Sequence, residues 1–366
     1  MHENLRYWVA LNLLLSEHLH LLHKLSRSFP RLLQVFQAPK QELVALGIDP
    51  SIAEMLLSAQ LLDKADAEIS RLEKKGYKIL TIADELYPDY LREISDPPVV
   101  LFYAGDLSLL SLPAVALVGT RKPTPYGRAV AERLSADLAA RGLVIVSGMA
   151  HGIDSISHWG ALKEGKTMAV LGSGLDVIYP KENKRLFEQI RDTGLVITEY
   201  ALKSPPLAHH FPLRNRIISG LVLAVIVVEA AEKSGSLITA RLGLEFNREV
   251  MAVPGNITSA LSKGTNLLIK TGAKPVESWE DVVEELPPSL RESLLSQSVK
   301  RDRDLSALHP KERQIYEFLR PDTLMHVDTL VEWSGLSVSE ILSHLLSLEL
   351  KGLINQSPGK NFQRKL

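Results

Sequence analysis

The residues best suited to chemistry in this 366-residue chain are cations set among glycines and hydroxyls. Gly119, Thr120 and Arg121 stand together in VALVGTR, and Ser147 and Gly148 open SGMAHGID. Gly172, Ser173 and Gly174 form a third cluster, and Lys233, Ser234, Gly235 and Ser236 a fourth. Glycines let backbone N–H groups approach an anion, hydroxyls add donors, and a following helix N-terminus adds positive partial charge. That combination suits phosphate. Lys181 follows VIYP, and Arg214 and Arg216 flank Asn215 in FPLRNRIISGL. A guanidinium matches two phosphate oxygens at once, and charge-assisted bonds of this kind contribute roughly 1.5–3 kcal/mol. So many cations exceed the need of one nucleotide and imply a backbone of several phosphates. Arg214 and Arg216 have a second reading, as structural partners of Asp154 or Glu199. Phe211 is the candidate to wedge against a base, with Tyr179 and Tyr126 the other aromatics nearby.

These residues follow strand-like segments. From 114 to about 276, apolar runs (AVALVG, LVIVSG, TMAVLGSG, LVITEY, AVIVVEA, VMAVPG) alternate with stretches of helical period, the pattern of a parallel sheet covered on both faces. Right-handed crossovers bring the strand ends to one edge, where open sheets of this kind bind ligands. The expected fold is α/β: a Rossmann-like, mostly parallel sheet over residues 71–285, its core at 114–276, with YKILTI and PVVLFYAG extending it. Residues 1–70, with leucines three and four apart, read as a small helical, SAM-like domain. Within it, LGIDPSIAEMLLSA lacks the second glycine of a helix-hairpin-helix and reads as packing. A Pro-rich and charged passage at 286–304 reads as a linker. Residues 305–366 show helical stretches around a glycine and then a polar hairpin, a winged helix.

Composition narrows the function. Hydrophobic residues make up 45% of the chain and charged residues 23%, with a formal net charge of −1. No global field draws nucleic acid, so any polyanion site must be local. The absence of cysteine excludes disulfides, thiolate metal sites and cysteine nucleophiles. WVALNLLL is too short to cross a bilayer, and a cytoplasmic protein without membrane contact is expected. The first strand ends in GTRKPTPYG and the second in Ser147-Gly148, so the G-x-G-x-x-G dinucleotide fingerprint is missing and no cofactor is expected. His151, His209 and His210 read as polar loop residues, and no metal is expected. Asp154, Glu199 and Glu229 are the carboxylates placed for acid–base work, without an evident partner. The last 66 residues carry as many acids as bases, apart from the basic tail with Lys351, Lys360, Arg364 and Lys365, which leaves duplex DNA and protein as alternative winged-helix partners.

Taken in order from 115 to 256, VGTR, SGMAHGID, LGSGLDVIYP, TEY, FPLRNRIISGL, EAAEKSGSLITA and VPGN together resemble the DNA processing protein A (DprA/Smf) family. The resemblance implies a non-enzymatic, cytoplasmic protein that dimerises through its Rossmann-like domain. It further implies single-stranded DNA binding and loading of the recombinase RecA during DNA uptake and recombination, with Arg121 and Lys181 holding phosphates. Related Rossmann-like enzymes that split nucleoside monophosphates carry PGGxGTxxE. Laid on EKSGSLIT, that motif puts Thr239 in place of the catalytic glutamate and Glu232 and Lys233 in place of its paired glycines. Two other classes stay open: a nucleotide-processing enzyme using Glu199 or Glu229, and a nucleotide-sensing winged-helix transcription regulator. With few aromatics among the cations, charge should outweigh stacking, and binding should depend on salt but not on sequence. Two pockets in a dimer would add avidity, with residues 220–276 the plausible contact.

Overall fold

The computed structural model describes residues 2–16, 18–29, 31–296 and 308–364. The six apolar runs become strands: β3 (Ala114–Val118), β4 (Val144–Ser147), β5 (Thr167–Val170), β6 (Leu195–Thr198), β7 (Ala224–Val227) and β8 (Glu249–Ala252). Almost every residue in them is buried, as strands covered on both faces require. Ahead of them, β1 (Lys78–Thr81) and β2 (Val100–Gly105) add an antiparallel edge, and β9 (Lys274–Pro275) closes the far side. The order across the sheet is β1-β2-β6-β5-β4-β3-β7-β8-β9. From β3 the chain winds outward through β4, β5 and β6, then returns to lay β7 on the other flank of β3. The crevice between β3 and β7 is therefore the topological switch point, the place where open α/β sheets take ligands.

The helical segment runs from His2–Leu15 to Ala59–Lys74, four residues past the expected boundary. Its core runs on into that of the sheet domain: Trp8, Leu11 and Leu15 share one apolar cluster with Phe102, Leu171 and Val196. Two buried polar contacts fix the register. Asn12 Nδ2 donates to the Glu199 carbonyl at 2.9 Å, and Glu68 Oε1 accepts from the Leu202 N–H at 2.7 Å.

The expected linker differs in its first part. Pro288–Ser296 is a helix, with a proline in its first turn and Leu290 and Leu294, one turn apart, packed on the sheet domain's core. The rest of that passage, together with the start of the expected winged helix, lies outside the described residues. The C-terminal unit has three helices, Pro310–Phe318, Val327–Ser334 and Val338–Leu350, and a small sheet of β10 (Met325–His326), β11 (Ile354–Ser357) and β12 (Asn361–Arg364). Gly335, at φ 67°, ends the second helix in the left-handed conformation that lets the third begin. Among the described residues, no helix is long and apolar enough to cross a membrane.

Candidate nucleic-acid interface

A cleft of about 590 Å³ opens at the switch point. The turn after β3 contributes Gly119, Thr120 and Arg121, the turn after β7 contributes Ser234, Gly235 and Ser236, and the helix His210–Gly220 contributes Phe211, Arg214 and Asn215. Residues more than a hundred positions apart in sequence thus share one surface. Arg121 is exposed at the mouth, its guanidinium carbon 5.5 Å from the centre of the Phe211 ring. Tyr179 stands beside Phe211 with ring centres 5.6 Å apart and planes tilted by 47°, so a cation and two aromatic rings form one wall. Tyr126 is elsewhere: its hydroxyl donates to the Pro254 carbonyl at 2.9 Å.

The two arginines of FPLRNR part company. Residues two apart on a helix point about 200° from each other. Arg216 is buried, and its Nη2 donates to both oxygens of the buried Glu199 at 2.6 and 2.5 Å. Arg214 is also buried but reaches the cleft floor, where it donates to the Gly148 carbonyl at 2.7 Å and to the Val170 carbonyl. Burial lowers its pKa, and the charge of Asp154 opposes that shift. Asp154 is raised by its own burial and pulled back by Arg214 and by N–H groups of the loop after β4. Both arginines therefore hold the scaffold, the second of their two sequence readings, and Arg216 is walled off from any ligand. His158 lies in the same interior. Burial, aided by the charge of Arg214, pushes its pKa down to about 3, so the ring is neutral.

The loops after β4 and β5 serve packing. The Ser147 hydroxyl donates to the Leu117 carbonyl at 2.7 Å and that of Ser173 to the Val177 carbonyl at 2.7 Å. A side chain on Gly148 would run into Arg214, and one on Gly172 would meet Phe211 at 3.1 Å. A Cβ on Gly174 would run into the Ala201 carbonyl. None of these five residues, expected at the phosphate, lines the cleft, and Gly148 and Gly172 instead let the helix bearing Phe211 sit close to the sheet. Lys181 and Lys233 are exposed and do not line the cleft: Lys181 is two residues beyond Tyr179, and Lys233 precedes Ser234. The sequence reading missed the apolar wall of Pro206, Pro212 and Ile238, which carries no local signal. Of the three acids, Glu199 is bound to Arg216 and Glu229 to Thr124, while Asp154 lies in the cleft floor. A larger cleft of about 890 Å³, with Trp279 and Arg320 in its wall, contains none of the residues expected at the phosphate.

These features define a Rossmann-like protein with a cleft at its switch point lined by Arg121, hydroxyls and aromatic rings, joined to a helical module and a winged helix. The chain belongs to the DNA recombination-mediator protein A family, whose description matches residues 78–287; the DprA winged helix domain matches residues 299–360. It is 49% identical over 221 residues to the DNA processing protein DprA of Streptococcus pneumoniae, covering 60% of this chain and 78% of that one. Protein Smf of Escherichia coli is 38% identical over 303 residues, covering 80% and 79%. Among solved structures, DprA of Streptococcus pneumoniae superposes with a TM-score of 0.63 at 41% identity, over 72% of this chain and 96% of that one. DNA processing protein A of Helicobacter pylori, described for its single-stranded DNA binding mode, gives a TM-score of 0.53 at 34% identity over 57% and 94%.

Proposed function

We propose that this protein binds single-stranded DNA through the switch-point cleft, without sequence preference, and acts in recombination by loading RecA onto the strand. The observation that carries the reading is the gathering of Arg121, Thr120, Asn215, Ser234 and Ser236 into one cleft beside the Phe211–Tyr179 wall. Arg121 is the principal phosphate ligand. Lys181 and Lys233 extend the track along the rim, and the amides and hydroxyls of residues 119–120 and 234–236 complete it. Arg214 shapes the floor, and Phe211 offers a ring face to one base.

The chain acts as a homodimer in this reading, two clefts raising the avidity for one strand. The helices Ser236–Glu245 and Lys263–Lys270 leave Leu244 and Leu267 exposed, at 60% and 48%, which supports residues 220–276 as the contact. The winged helix fits a protein partner better than duplex DNA. Its third helix, in the position that enters the major groove of helix-turn-helix readers, contains no Lys or Arg and exposes Val338, Leu346 and Leu350.

The test is titration of labelled single- and double-stranded oligonucleotides at two salt concentrations, with Arg121→Ala and Lys181→Ala beside the wild type. Preference for the single strand, weakened by salt and by each substitution, supports the reading. Release of free base from nucleoside monophosphates would instead favour an enzyme.

A further inference from the structure

Glu229, just past β7, is a buried carboxylate with both oxygens committed to one neutral residue. Its Oε2 accepts from the Thr124 N–H at 2.9 Å and its Oε1 from the Thr124 hydroxyl at 2.5 Å. Its main-chain carbonyl accepts from the Thr120 N–H at 2.7 Å. Thr124 in turn caps the helix Pro125–Ala139, accepting from the Gly127 N–H at 3.1 Å, and a Cβ on Gly127 would run into the Glu229 carboxylate. One residue just past the neighbouring strand therefore grips the turn after β3 at Thr120 and again at Thr124, with Arg121, Lys122 and Pro123 slung between. Burying a carboxylate is costly unless hydrogen bonds compensate, and here the donors and the positive end of a 15-residue helix do so.

We propose that Glu229 is the positioning residue for Arg121. It sets the shape of the turn before DNA arrives, so that the guanidinium stands at the cleft mouth and little ordering is deducted from binding. The proposal rests on the reading of the cleft as the single-stranded DNA site. It assigns Glu229 to ligand binding through loop geometry, in place of the acid–base work its residue type suggested. Glutamine keeps an acceptor for the Thr124 N–H and can donate to the Thr124 hydroxyl, but it removes the negative charge that strengthens both bonds and faces the positive end of the helix.

The experiment is fluorescence anisotropy of a labelled oligothymidylate with the full chain. It compares wild type, Glu229→Gln, Thr124→Val, Arg121→Ala and the double variant Glu229→Gln with Arg121→Ala, recording a melting temperature for each. Glu229→Gln and Thr124→Val are each expected to weaken binding about tenfold, the worth of one hydrogen bond to a charged group. In the Arg121→Ala background the Glu229 substitution should cost less than about twofold, since the residue it positions is gone. Wild-type affinity in both single variants overturns the proposal. So does a full tenfold loss that persists without Arg121, which would make Glu229 a general structural support. Should Glu229→Gln fail to fold, Thr124→Val, alone and combined with Arg121→Ala, carries the same comparison. Wild-type affinity of Arg121→Ala itself removes the reading of the cleft and the proposal with it.

Discussion

Arg121→Ala separates charge recognition from architecture most cleanly. The side chain is exposed, and its contact is with the face of Phe211, an attraction already present without DNA and so not part of the binding gain. What DNA adds is one or two charge-assisted bonds to a phosphate, about 1.5–3 kcal/mol, or roughly a tenfold to hundredfold loss of affinity when the guanidinium is removed. Counterion release supplies a second number. Each phosphate contact on a single strand contributes about −0.7 to the slope of log affinity against log salt, so the variant's slope should be shallower by about that amount. Arg121→Lys should keep the slope, because the charge remains, yet lose a few-fold in affinity because the fork is gone. The assay is anisotropy of a labelled single strand between about 50 and 200 mM salt, with thermal melting as the control for folding. Arg121→Ala matching the wild type in both affinity and slope would refute the reasoning.

Three further outcomes follow from the buried charges and exposed faces. Arg216→Ala should leave Glu199 buried without its partner and destabilise the fold by about 3–5 kcal/mol, read as a lowered denaturant midpoint; Arg121→Ala should barely move it. His158 accepts no proton in the native state until about pH 3, whereas an unfolded histidine does so below about 6.5. Its contribution is thus complete above pH 6.5 and falls by about 1.4 kcal/mol per pH unit as acid is added, a slope that His158→Asn should remove from denaturation curves between about pH 6.5 and 5. Leu244→Glu, alone or with Leu267→Glu, should convert a dimer to monomers in sedimentation and weaken strand binding, with the monomer's fold intact.

Much of the scaffold was legible because its signals are local. Strands β3 to β8 are apolar runs bounded by glycine and serine, a pattern that two covered faces impose residue by residue. The end of the helical segment was less so: leucine spacing marks helices, but the packing of Trp8 and Leu11 in one cluster with Phe102 is long-range and has no local signal. The helix at Pro288–Ser296 was hidden by its two prolines, which suggested a linker although one of them suits a helix start.

By itself the sequence determined which residues stand at strand ends, because right-handed crossovers deliver every strand of such a sheet to the same edge. It also determined the family, through the ordered run of motifs. Only the tertiary structure decided which of those ends meet. The chain reverses direction across β3, so the turns after β3 and β7 open a crevice, while Gly148 and Gly172, after β4 and β5, pack against the helix bearing Phe211. It likewise decided the fates of Arg121, Arg214 and Arg216, which are chemically alike in the sequence. One faces solvent, and the other two are turned by helical pitch toward separate buried partners, a choice of direction that residue type cannot encode.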